Sequence, residues 1–88
     1  MTKHAWRRTP AAPSVLGHDG SGEHNYAIIA VSPQGRRSAP SPAAKAAGRA
    51  KLRWDSVPGG DAYVIVRDGQ EIAGPFRMEG SMKEWQDK

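Results

Sequence analysis

The six residues Tyr26-Ala27-Ile28-Ile29-Ala30-Val31 are apolar at every position, and this run constrains the fold more than any other feature. In a strand, alternate side chains point to opposite faces, so Tyr26, Ile28 and Ala30 would line one face and Ala27, Ile29 and Val31 the other. Apolar character on both faces marks an interior strand. Its aromatic and β-branched residues, bounded by turn residues, favour a strand over a buried helix. At six residues the run is far too short for a membrane span of about 20. Ala62-Tyr63-Val64-Ile65-Val66-Arg67 repeats the pattern and reads as a second central strand. With 10 Gly and 7 Pro among 88 residues, the chain is rich in turns and short elements. A chain of this length buries only about 60% of its unfolded surface and supports one core.

The remaining elements follow from periodicity and turn chemistry. Ala50, Leu52 and Trp54 alternate with Lys51, Arg53 and Asp55, the period-2 signature of a strand with one buried face. Ser14-Val15-Leu16 reads as a short edge strand, ended by the turn residues of Gly17 to Gly22. The strand from His24 to Ser32 turns at Pro33-Gln34-Gly35, and Arg36 to Ser41 is expected to return as a hairpin partner with Ala39 as its apolar contact. Ser41 to Gly48 reads as a connector, since it lacks large apolar residues at helical spacing. Asp68-Gly69 is a type I′ hairpin signal that folds Gln70 to Ala73 back with Ile72 inward. Gly74-Pro75 is expected to end that strand. The tail carries Phe76, Met78, Met82 and Trp85, with a turn at Gly80-Ser81 and a last strand from Lys83 to Asp87. Residues 1–12, basic and then rich in Pro and Ala, read as a flexible arm, and residues 13–88 as the domain.

Trp54 followed by Val57-Pro58-Gly59, then Tyr63-x-Ile65-x-Arg67-Asp68-Gly69, resembles the second and third strands of a fibronectin type III domain of the bacterial secreted kind. Tyr26-x-Ile28-x-Ala30-Val31-Ser32 with Gly35, Ser38, Pro40 and Ser41 resembles the sixth and seventh strands. The two halves occur in reversed order, as in a circular permutation, and together cover roughly residues 24 to 87. Permuted modules of this kind occur in phage tail and bacterial surface proteins. A chain cut across two tandem repeats is the rival explanation, but half domains do not easily bury their faces. The fold class expected is therefore all-β, a single antiparallel β-sandwich of about 6–7 strands with permuted order. The resemblance implies that Trp54 and Tyr63 pack between the sheets among Ile28, Ala30, Leu52, Ile65 and Ile72, and that the Tyr26 hydroxyl reaches a backbone group. It carries over no catalytic residue.

Charge is unevenly spread. Residues 1–54 hold nine Lys/Arg and two Asp/Glu, and residues 55–88 hold four and seven, so +7 and −3 make the net +4. Arg36, Arg37, Lys45, Arg49, Lys51 and Arg53 form a candidate basic surface for a glycan or nucleic acid; the plainer reading is a solvated face. Trp6 and Trp85 are candidate stacking platforms, better read as an anchor of the arm and a closure of the core edge. His18, Asp19, Glu23 and His24 are the densest set of metal-ligand types but match no stringent motif. No cysteine is present, which leaves the redox compartment open. The pairs Asp55/Asp61 and Glu71/Glu84 read as turn and outward strand positions rather than an acid and base, and neither a nucleophile elbow nor a phosphate-cradling loop occurs.

The sequence thus points to a non-catalytic interaction or spacer module with no cofactor and no metal, without membrane insertion, binding protein partners through loops or edge strands. Its expected setting is a secreted, cell-surface or virion-associated assembly, or the cytoplasm if the chain stands alone. The alternative is a basic domain for polyanion or carbohydrate.

Overall fold

The computed structural model describes residues 9–77 and 82–87, with the backbone alone at 18–21, 48, 82 and 83. Most of the arm, including Trp6, together with Met78 and the Gly80-Ser81 turn, lies outside the described residues. Pro10 is fully buried and Pro13 buried, so packing begins by Pro10. The protein is all-β and antiparallel. Its strands are β1 (Ser14–Val31), β2 (Ala44–Asp55), β3 (Ala62–Arg67), β4 (Gln70–Arg77) and β5 (Met82–Gln86). Hydrogen bonding orders them β4-β3-β1-β2-β5.

This ladder is folded over on itself. Arg53 of β2 pairs with Ser14, and Tyr63 of β3 pairs with Ala30. Sixteen residues separate Ser14 from Ala30, about 50 Å along a straight strand at ~3.3 Å per residue. Yet the rings of Trp54, next to Arg53, and Tyr63 lie 5.9 Å apart, edge to face. β1 must therefore bend back, and β2 with it. The bend sits where the register shifts between Asp19 and Glu23 while the partner advances only from Arg49 to Ala47. Such a bulge bends a strand, and strands that turn corners in this way join two packed layers. Gly22, at φ +88°, supplies a backbone conformation that favours glycine.

One layer holds β4, β3, the second half of β1 and the start of β2; the other holds the first half of β1, the rest of β2, and β5. Between them lie Tyr26, Ile28, Ala30, Ala46, Ala50, Leu52, Trp54, Tyr63 and Ile65, all buried, with Val15, Val57, Ile72, Ala73, Phe76 and Trp85 packed against them. Burying each large side chain contributes roughly 1.5–3 kcal/mol. A second buried cluster, Ala27, Ile29, Val31, Ala62, Val64 and Val66, occupies the opposite face of the β1–β3 pair, as the doubly apolar runs require.

Four expectations are corrected. Gly17 to Gly22 does not separate two strands, because the ladder continues through it as a corner. The expected connector is strand from Ala44, since pairing with Glu23–Tyr26 satisfies its backbone and Ala46 fills the core. Arg36 to Ser41 forms no regular hairpin ladder: beyond a single bridge between Val31 and Arg37, the buried Ser38 and Ser41 hydroxyls accept from the Ala30 and Ile28 amides, while Ala39 is exposed. Finally, Gly74-Pro75 does not end β4. That peptide bond is cis, and Gly74 adopts φ +99° within an irregular stretch of the ladder.

Gly74 is constrained twice over. A Cβ there would lie 2.5 Å from the Tyr63 carbonyl oxygen and 3.0 Å from the Val64 Cα, whereas Gly35, at φ +84°, has open space around its missing Cβ. Gly74→Ala should destabilise the fold by about 2 kcal/mol or more and Gly35→Ala by about 1 kcal/mol. Urea unfolding measures both, and equal losses would show that the approach to Tyr63 is not limiting.

Candidate functional site

The cleft that concentrates both apolar and polar groups lies between the two terminal strands of the sheet order. Arg67, Ile72, Ala73, Phe76, Trp85, Gln86 and Asp87 line a space of about 650 Å³, within the ~300–1,000 Å³ range of ligand clefts. The fold produces this by leaving its barrel-like ladder open. Phe76 pairs with Tyr63 and Ala73 with Ile65 on β4, while Trp85 pairs with Leu52 on β5. Each thus sits beside a core residue, and the half-buried aromatic pair closes the core from either side of the gap.

A polar network plugs one end. The Tyr26 hydroxyl donates to Asp87 Oδ2 at 2.6 Å, the Arg67 guanidinium donates to the same oxygen at 2.7 Å, and the Asp87 amide donates to the Ala50 carbonyl at 2.9 Å. Asp87 is buried despite its charge, which such pairing makes tolerable. Burial first, then Asp87, pushes the Tyr26 phenol above its ordinary range, and the hydrogen bond to Asp87 raises Arg67. The phenol therefore stays protonated, as donation requires. The Tyr26 hydroxyl also engages the Ala50 backbone, the kind of contact expected of it, and at the opposite end of the core the Tyr63 hydroxyl accepts from the Val57 amide at 3.0 Å.

The candidate basic residues fall into two groups. Lys45, Arg49, Lys51 and Arg53 alternate along β2 away from the buried Ala46, Ala50, Leu52 and Trp54. Arg37 reaches Glu71 on β4, across the β1–β3 face, and Arg36 is exposed beside it. Carboxylates break the β2 row: Glu23 lies 3.9 Å from Lys45, and Glu84 lies 3.7 Å from Lys51 and 2.8 Å from Arg53. Of the metal-ligand types, Glu23 faces Lys45 and His24 Nδ1 lies 2.6 Å from Asp68, while the side chains of His18 and Asp19 are outside the described residues. Asp61 accepts from Arg77, so the imagined Asp55/Asp61 and Glu71/Glu84 pairs all include a carboxylate held by an arginine.

Asp87, Arg67 and Gln86 carried no signal of a site in the sequence. Arg67 was legible as the end of an apolar strand and of the motif resembling a third fibronectin strand, and Asp87 as the last residue of the expected final strand. Their meeting depends on the fold-over of β1. Compared with protein-family models, curated proteins and solved structures, the chain shows no significant match to any.

Two outcomes follow from these geometries. Tyr26→Phe removes a donor from a buried carboxylate and should cost about 1.5–3 kcal/mol, read from the urea midpoint. Asp68 is held below the ordinary carboxylate range by the Asn25 amide and then His24, and Glu84 by Arg53. With lowered folded-state values, both groups bind fewer protons folded than unfolded, so their stabilisation is present above about pH 4 and lost as pH falls through their folded values. Unfolding midpoints measured down an acid series should drop in that window, and Asp68→Asn should make the drop shallower.

Proposed function

We propose that this chain is a non-catalytic interaction or spacer module with the plan of a permuted fibronectin type III sandwich, engaging protein partners through loops or edge strands in a secreted, surface or virion-associated assembly. The observation that carries this reading is the single core in which Tyr26, Ile28 and Ala30 of one half-match meet Leu52, Trp54, Tyr63 and Ile65 of the other. Neighbours also agree with the plan. The segment resembling the third strand, β3, pairs with the segment resembling the sixth, Tyr26–Val31, and the segment resembling the seventh runs along the other side of it. The segment resembling the second strand lies in the opposite layer, the division found in immunoglobulin-like sandwiches. Two half repeats would not need to share this core.

Partner binding is assigned to strand edges because the sheet ends in β4 and β5, and both border the same cleft. The polyanion reading rests on the β2 row, which Glu23 and Glu84 partly neutralise. Titrating the chain against heparin and single-stranded DNA across a salt series separates the two readings. Weak binding with a shallow salt slope is expected; a steep linear fall of log affinity with log salt would overturn the interaction module in favour of the basic domain.

A further inference from the structure

The two terminal strands differ in what they offer a partner. β4 carries Pro75, which has no amide donor, and the irregular Gly74 beside it, features that blunt an edge. β5 is regular over its ladder with β2. The Asp87 amide points at β2, donating to the Ala50 carbonyl, and Gln86, Trp85 and Glu84 precede it opposite Lys51, Leu52 and Arg53. Backbone direction alternates along an antiparallel strand. Trp85 therefore turns its amide and carbonyl to β2, and Glu84 and Gln86 turn theirs to the outer edge, where no strand lies among the described residues.

That edge borders the cleft, whose walls are Ile72, Ala73, Phe76 and Trp85. Its two charged groups, Arg67 and Asp87, are bound to each other at 2.7 Å, and the nearby Glu84 is held by Arg53 and Lys51. Charge complementarity thus selects an occupant that is uncharged where it enters the cleft. A sugar ring fits less well, because Trp85 is half-buried against the core rather than presented as an open platform.

We propose that the β4–β5 cleft is a docking site for an extended segment of a partner protein, which adds as a strand to β5, pairs with the outward backbone groups of Glu84 and Gln86, and lodges an uncharged apolar side chain between Phe76 and Trp85. Strand addition supplies affinity through the backbone, and the cleft supplies side-chain selectivity. This deepens the edge-strand part of the reading above and rests on it.

The test uses the full chain as bait for a displayed library of linear peptides of roughly ten residues, a full strand's length. Gln86→Pro serves as counter-target, since it deletes an outward amide without removing a bond to β2. Enriched sequences should alternate apolar residues with no charge at the anchoring positions. A synthetic peptide of that consensus should shift amide resonances at 72–76 and 84–87 and slow hydrogen exchange at Glu84 and Gln86. Its affinity should fall about tenfold or more on Gln86→Pro, the effect of losing a bond worth ~1.4 kcal/mol, and also on Ala73→Arg, which places a charge in the cleft. Unchanged thermal melts of both variants separate lost binding from lost folding. Peptides that bind but shift residues 32–43 or the β2 row overturn the cleft and leave the interaction module standing. Failure to enrich any peptide over the Gln86→Pro chain also overturns the cleft, and the salt series then decides the broader reading independently.

Discussion

Everything in this structure depends on the corner in β1. A strand of 18 residues cannot stay straight in a chain of 88 and also bury its apolar face, because no other strand among the described residues is long enough to cover it. The bulge between Asp19 and Glu23 resolves this by turning one strand pair into two layers that cover each other. Trp54 and Tyr63 meet only because of that turn, as do Tyr26 and Asp87. The core is thus sealed at one end by an aromatic pair and at the other by a charge-assisted network. Neither end is specified by local sequence.

What the sequence made legible follows the same division. Strand existence was readable wherever periodicity was strong: both faces of Tyr26–Val31 are buried, and Ala50, Leu52 and Trp54 point inward. The misreadings fell where tertiary pairing overrode local chemistry. Glycines at 17, 20 and 22 look like a loop because they permit turns, but the ladder continues through them and a corner at Gly22, with φ +88°, uses the same freedom. Alanines at 43, 44, 46 and 47 offer little to hold a helix; pairing with β1 makes the segment a strand from Ala44, and of the four only Ala46 is buried. The serines at 38 and 41 read as positions of a return strand, yet their hydroxyls replace backbone acceptors along one side of β1. The cleft was the least legible part, since it is a gap between strands adjacent to each other in sequence but at opposite ends of the sheet order.

The charges show a similar shift from pattern to geometry. A net +7 over the first 54 residues suggests a basic surface, but the acidic second half returns along the same edges. Glu84 of β5 sits against two cations of β2, and Glu71 of β4 against Arg37. Exposed pairs of this kind contribute little to stability, typically about 0–1 kcal/mol. Their larger consequence is electrostatic, because they lower the field that would draw in a polyanion.

Why the cleft stays open is itself a matter of strand chemistry. For β4 and β5 to pair and close the barrel, β4 would have to present a regular row of donors, and Pro75 and the positive-φ Gly74 prevent that. For the gap to be filled from within, the Asp87 carboxylate would have to give up Tyr26 and Arg67, leaving a buried charge without these partners at a cost of several kcal/mol. The Arg67–Asp87 pair therefore sets the two layers at a fixed spacing at one end while the irregular β4 keeps them unjoined along the side. The gap held open in this way is lined by apolar and charged side chains alike and lies beside an edge whose backbone groups alternate outward.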